Sequence, residues 1–280
     1  MIKDILVYLD GTEQDDVRLR YADNLAVGLE AYLTGLYSNL IPQIILAGDG
    51  GMMGVDMAIE VENEARERGK EAMVHISEMM DRLTSRHSLR RRDVHSEIAG
   101  PSLASEARLT DLFVATRPYG HEREGQTASL IESVLFDSGR PCLFVPPNGA
   151  PHPSYETIIL AWKDSREAAR AVSSAMPFLH KAKHILVTIV DDGKTDSDRY
   201  PEKGAGIINY LKHHELPATL KIVQRRSERV SATLLEEAAV AGAELLVMGS
   251  YGHSRLREWV LGGTTRAVLT EAKLPVLVGH

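Results

Sequence analysis

The residues best equipped for chemistry lie in the run MGSYGHSRLREWVLGGTT, from Met248 to Thr265. Gly249 and Gly252 form a GxxG, and Gly262, Gly263, Thr264 and Thr265 follow the segment that starts at His253. Ahead of this run, residues 244–248 (ELLVM) are a short apolar stretch that reads as a buried strand. Behind it, residues 264–272 read as a helix. A strand that runs into glycines and then into a helix start offers bare backbone N–H groups and a positive dipole end, which suits a phosphate or another anion. Thr264 or Thr265 would cap that helix and touch a phosphate oxygen. The same glycines would equally serve a tightly turning loop with no ligand, because glycine spacing alone does not choose between the two.

A GxxG, nine residues, then a glycine and small residues, with a strand before and LPVLV (residues 274–278) after, resembles the nucleotide loop of the universal stress protein family. The resemblance implies ATP or a related adenine nucleotide, with magnesium carried through the phosphates. It also implies the pocket: Ala161, Ile189 and Met248 on strands, with Gly249, Gly252, Gly262, Gly263, Thr264 and Thr265 around the phosphates. His253, and with it Arg255 or Arg257, would flank the phosphate tail. Two positions depart from the family pattern. Gly263 stands where nucleotide-binding members carry Ser or Thr, and Lys163 and Asp164 stand where they carry Asp and Gly. Lys163 would reach a phosphate as a point charge or remain a solvated lysine at a strand end.

The chain that must position these residues is built twice. Residues 5–9 (ILVYL) are answered by 158–162 (IILAW), residues 112–115 by 245–248, and residues 141–145 (PCLFV) by 275–279 (PVLVG). Between these anchors, strand-like and helix-like segments alternate. The first half reads helix 15–29, strand 31–37, a long amphipathic helix through Val61 and Leu83, strand 94–99, a helix from Ser102 and strand 112–115. The second half reads helix 165–179, strand 185–190, helix 201–214, strand 219–223, helix 229–241 and strand 245–248. Such alternation means βαβ units and parallel sheets covered on both faces. The expected fold is therefore α/β: two doubly wound, five-stranded parallel-sheet domains in tandem, Rossmann-like and, by resemblance, adenine nucleotide alpha hydrolase-like. The expected domains are 1–147 and 153–280, joined through the Pro- and Gly-rich linker PPNGAPHP at residues 146–153. By resemblance the two pair through their last strands, Cys142 to Val145 beside Val276 to Val278, as an intramolecular pseudo-dimer. A further homodimer is compatible with this.

The halves are not equivalent. In ATRPYGHEREGQTASL, the first-half counterpart of the glycine run, Thr116 and Arg117 replace the first glycine and nothing matches Gly262. Side chains there would hold the backbone away from a pyrophosphate, so the first domain is expected not to bind, although it keeps Asp10 and Gly11.

Composition narrows the function. A net charge of −7 over 280 residues argues against general nucleic-acid binding. The basic cluster RHSLRRR (residues 86–92) reads as a solvated helix end. The single cysteine, Cys142, lies in an apolar run and reads as a core residue. The start MIKDILVYLD passes straight into a strand, so no signal peptide is expected, and no apolar run approaches a membrane span of roughly 20 residues. The cytoplasm is the expected compartment. Residues 49–57 read as a connecting loop. Gly193, Lys194 and Thr195 look like the end of a P-loop, but Thr188 stands where its first glycine is required. His180 and His184 straddle a helix end and form no metal site, and no catalytic residue is assigned. The expectation is a stress-linked sensor or accessory protein that binds one adenine nucleotide in its second domain, without dedicated turnover beyond slow hydrolysis. The alternative is a tandem scaffold that binds no nucleotide and acts through oligomerisation and protein partners.

Overall fold

The computed structural model describes residues 1–43, 52–120, 124–152, 154–191, 193, 200–226, 229–250 and 262–280. The first half runs β1 (Asp4–Leu9), α1 (Gln14–Leu29), β2 (Tyr32–Ile41), α2 (Met52–Met80) and β3 (His87–His95). It continues with α3 (Ser96–Ala107), β4 (Leu112–Thr116), α4 (Glu124–Asp137) and β5 (Cys142–Val145). The second half runs β6 (Thr157–Ala161), α5 (Arg166–Leu179), β7 (His184–Asp191), α6 (Tyr200–His213) and β8 (Ala218–Gln224). It ends with α7 (Val230–Val240), β9 (Leu245–Gly249), α8 (Gly263–Glu271) and β10 (Val276–Gly279).

Among the described residues these strands form one sheet in the order β3-β2-β1-β4-β5-β10-β9-β6-β7-β8. Within each half every pairing is parallel, and the halves meet at an antiparallel β5–β10 seam that sets Val276 against Phe144, Leu277 against Leu143 and Val278 against Cys142. All six side chains are fully buried, so the seam continues the core and removes two edges that would otherwise invite foreign strands. The sheet separates two apolar layers. One lies under α1, α2, α5 and α6, the other under α3, α4, α7 and α8. Cys142 is a free thiol in the second layer, and its burial raises its pKa.

The structure corrects the sequence reading at the outer edge of the first half. The strand expected at 94–99 is β3 at His87–His95, and residues 96–99 open α3, which begins six residues before the expected start at Ser102. The arginine cluster is thus an edge strand and not a helix end. It lacked an apolar period because its side chains are ion-paired: Arg90 and Arg92 both reach Glu106 on α3 at 2.7 Å, and Arg91 reaches Asp93 at 2.7 Å. The opposite edge repeats the device, with Lys221 on β8 and Arg226 beyond it paired to the buried Glu237 of α7. Charges at both edges discourage sheet extension. Residues 49–51 of the expected connecting loop lie outside the described residues, and Met52–Met57 already belong to α2.

Candidate functional site

In an open parallel sheet, ligands sit beyond the carboxyl ends of the strands where the order reverses. In the second half that point lies between β6 and β9. Ala161, the last residue of β6, pairs with Met248 of β9 on one side and with Thr188 of β7 on the other, so the register gathers Ala161, Met248, Gly249 and Ile189 at one edge. Met248 and Ile189 are buried, Ala161 is half-buried, and Lys163 is exposed just beyond β6. Gly252 and His253, with Arg255 and Arg257, lie outside the described residues, as do Lys194 and Thr195.

The first turn of α8 is the other element that the sequence reading assigns to the site. Its N-cap is Gly262, with an extended ψ of 143°, and not Thr264 or Thr265, because the helix begins at Gly263 and both threonines are already inside it. Thr265 is fully buried and Thr264 half-buried. A Cβ placed on Gly263 would meet nothing within 4 Å among the described residues. The first N–H groups of a helix have no partner within it, and they sit at the positive end of its dipole. Gly249 is different. A Cβ on it would lie 2.5 Å from Ala168 N and 2.5 Å from Glu167 C, so this glycine lets α5 pack directly on β9. Gly279 does the same at Ala171, with 2.6 Å to its backbone nitrogen. Ser165 secures that helix start by accepting from Ala168 N at 3.2 Å.

Two buried polar atoms beside this edge lack hydrogen-bond partners among the described residues, the indole Nε1 of Trp162 and the hydroxyl of Thr188. They come from adjacent strand ends, joined by Trp162 N donating to Thr188 O at 2.9 Å. An unsatisfied buried polar atom costs about 1–3 kcal/mol. At this edge the described residues therefore offer an indole N–H and a hydroxyl, with Lys163 just beyond β6 and the α8 helix start following β9 in the chain. Sequence reasoning missed Trp162 and Thr188 because both sit in apolar strand runs that read as core.

The matching crevice of the first half, between β1 and β4, is spanned by the protein itself. Arg18 of α1 is 2% exposed and donates through Nη1 to Asp15 at 2.8 Å, through Nη2 to Asp10 at 3.1 Å and through Nε to Thr116 Oγ1 at 3.0 Å. Its guanidinium lies 5.1 Å from the centre of the Tyr8 ring. Asp15 also accepts from Gly11 N at 2.8 Å, holding a turn in which Gly11 has a φ of 78°. Burial raises both carboxyls. At Asp10 the Arg18 charge and the hydrogen bonds from Arg18 and Thr12 outweigh burial and hold the pKa down, whereas at Asp15 burial wins and lifts it to about 7. The folded chain therefore holds a proton on Asp15 that the unfolded chain releases near 3.8. The stabilisation from this group is complete below that value and is lost as pH rises towards 7. We expect denaturation midpoints taken at about pH 4.5, 6 and 7.5 to fall less with pH in Asp15→Asn than in the parent chain. Identical slopes would sink the assignment.

The first-half loop after β4 also has a task of its own. Arg117 Nη1 donates to the carbonyl of Thr270 on α8, the Arg266 guanidinium lies 4.8 Å from the centre of the Tyr119 ring, and the Tyr119 hydroxyl bonds Glu132 of α4. On the second-half side, Ser250, which follows β9, shares a 2.8 Å hydrogen bond with His280 Nδ1. The His280 ring packs edge-on against Phe136 of α4, with centroids 5.0 Å apart.

Residues 154–280, the half that holds the open helix start, match the profile of the universal stress protein family. These residues, just under half of the chain, carry a universal stress protein domain. A universal stress protein of Synechocystis is 25% identical over 157 residues, 55% of this chain and 52% of that protein, so the match spans about half of the relative's length. The fold is shared over the whole chain. A universal stress protein from Archaeoglobus fulgidus superposes with a TM-score of 0.73 at 17% identity, over 99% of this chain and 95% of that one. A functionally unknown protein from Pseudomonas aeruginosa does so with a TM-score of 0.59 at 16% identity, over 99% and 92%. Among the described residues, no helix is long and apolar enough to cross a membrane, and no group of three or more His, Cys, Asp or Glu side chains could hold a metal ion.

Proposed function

We propose that the chain is a tandem universal stress protein, with domains 1–147 and 153–280, that binds one adenine nucleotide in the second domain as a stress-linked sensor or accessory protein. The observation that supports this reading is the helix start of α8 at Gly262 and Gly263, where no described residue stands within 4 Å of the Gly263 Cβ position, in the half whose strand order reverses between β6 and β9. Gly262, Gly263 and Thr264 would hold the phosphates through backbone N–H groups, together with Gly252 and His253 of the intervening loop, and Thr265 would stiffen that turn from within. Met248, Ala161 and Ile189 would line the apolar part of the pocket, and Lys163 would add a positive charge at the phosphates. A bound nucleotide would bring its own magnesium. The first domain would stay empty because Arg18 already spans its crevice.

The test is calorimetric titration of the full chain with ATP, ADP and AMP, with and without magnesium. We expect one site per chain and a loss of at least about tenfold in affinity, roughly 1.4 kcal/mol, in Gly262→Val. Both tryptophans of the sequence, Trp162 and Trp259, fall in the second half, so quenching of their emission gives an independent readout. A second reading, the scaffold that binds no nucleotide, draws on Gly249, whose packing role needs no ligand. Absence of heat and of quenching with all three nucleotides would favour it.

A further inference from the structure

The last four carbonyls of a helix have no partner within it, and that end of the dipole is negative. In α8 the Ala272 N–H takes the carbonyl of Val268, while the carbonyl of Thr270 receives Arg117 from the other half of the molecule. Arg117 thus brings both a donor and a positive charge to the helix end that most favours them. One turn earlier Arg266 rests on the ring of Tyr119, which is 1% exposed and is itself held by Glu132. Gly120, at a φ of 87°, brings the backbone so close that a Cβ would lie 3.4 Å from Thr270 O. Three residues of one short loop therefore grip one helix. That loop is the first-half counterpart of the glycine run, and its arginine, tyrosine and glycine close on the far end of the helix whose near end carries Gly262 and Gly263.

We infer that the 117–120 loop is a latch that sets the position of α8, and that Arg117 is a positioning residue for the amides at 263–265. As far as ligand affinity goes, this rests on the nucleotide reading above. The physical reason is leverage. A nine-residue helix is a rod of about 14 Å, so a shift at its carboxyl end is passed to its amino end. Hydrogen bonds to an anion tolerate misplacement of only about 0.5 Å. The first half would then act on the second half's site through a loop that has no cradle of its own.

The test compares the parent chain with Arg117→Met, which keeps the stem and removes the donors, and Arg117→Lys, which restores one. ATP affinity, thermal midpoint and amide hydrogen exchange without ligand are measured on each. We expect Arg117→Met to weaken ATP binding about tenfold and to speed exchange in α8 severalfold, with the central strands unchanged. Arg117→Lys should recover affinity to within about threefold of the parent. Parental affinity in Arg117→Met, or a loss that Lys does not rescue, would overturn the inference. If the parent chain itself binds no nucleotide, the functional reading falls on its own account and the latch is decided by exchange alone. Faster exchange confined to α8 supports it, and unchanged or uniformly faster exchange overturns it.

Discussion

Arg18→Met should lower the stability of the chain by about 3–5 kcal/mol, because it removes the only cation, among the described residues, that is paired with Asp10 and Asp15. Asp15 is fully buried and Asp10 mostly so, and neither can recover water without opening the turn at Gly11. Asp10, held ionised by Arg18 in the parent, would have to take up a proton as Asp15 does below about pH 7, so the loss should shrink as pH falls, and urea midpoints measured at acidic and neutral pH would show it. The second half suggests the rescue. Where the first half has Asp15, Arg18 and Thr116, the corresponding positions hold Ala168, Ala171 and Gly249; Ala168 lies against the backbone of Gly249 and Ala171 against that of Gly279, which closes the gap between helix and strands. Replacing a buried charged cluster by well-packed apolar residues is often neutral or stabilising. The triple variant Asp15→Ala, Arg18→Ala, Thr116→Gly should therefore be more stable than Arg18→Met alone. If Arg18→Met denatures at the parent midpoint, the cluster does not hold α1 to β4.

Gly249→Val is expected to lower stability by about 3 kcal/mol, near the upper end for overpacking. The reason is the kind of atom it meets. At 2.5 Å the new Cβ strikes the backbone of Glu167 and Ala168, which cannot rotate aside as a side chain tip would, so the first turn of α5 must move with Ser165 and its cap. Gly263→Ala makes the opposite case, since no described residue stands within 4 Å of its Cβ and alanine is the better helix former by up to about 1 kcal/mol. Its thermal midpoint should hold or rise while nucleotide affinity falls. The two variants separate a glycine needed for packing from one placed to leave a backbone open. A Gly263→Ala chain that loses stability as Gly249→Val does would remove that distinction.

How legible each part was depended on whether its signal is local. The alternation of ILVYL and IILAW with amphipathic helices reports burial on both faces of a parallel sheet, so the tandem α/β fold was readable, whereas the strand order came from the structure. The seam of Phe144 against Val276 was expected from the family resemblance, and three buried apolar residues on each strand bear it out. β3 was misplaced because an edge strand tied by Arg90 and Arg92 to one glutamate carries no apolar period. The Asp10, Asp15 and Arg18 cluster was invisible because acidic and basic residues at a helix start ordinarily face water, and only the approach of Thr116, 98 positions away from Arg18, turns them inward.

By itself the sequence determined the double α/β architecture, the inequality of its halves and the place of the glycine run, because burial periodicity and the absence of a Cβ are written residue by residue. Tertiary structure decided what each small or charged residue does there. It gave Gly249 to helix packing and set Gly263 at the start of α8 clear of the other described residues, it put Arg18 across the first crevice, and it turned Arg117 towards a helix of the other half. Those roles depend on distances between segments far apart in the chain, and distance in space is what a one-dimensional pattern does not contain.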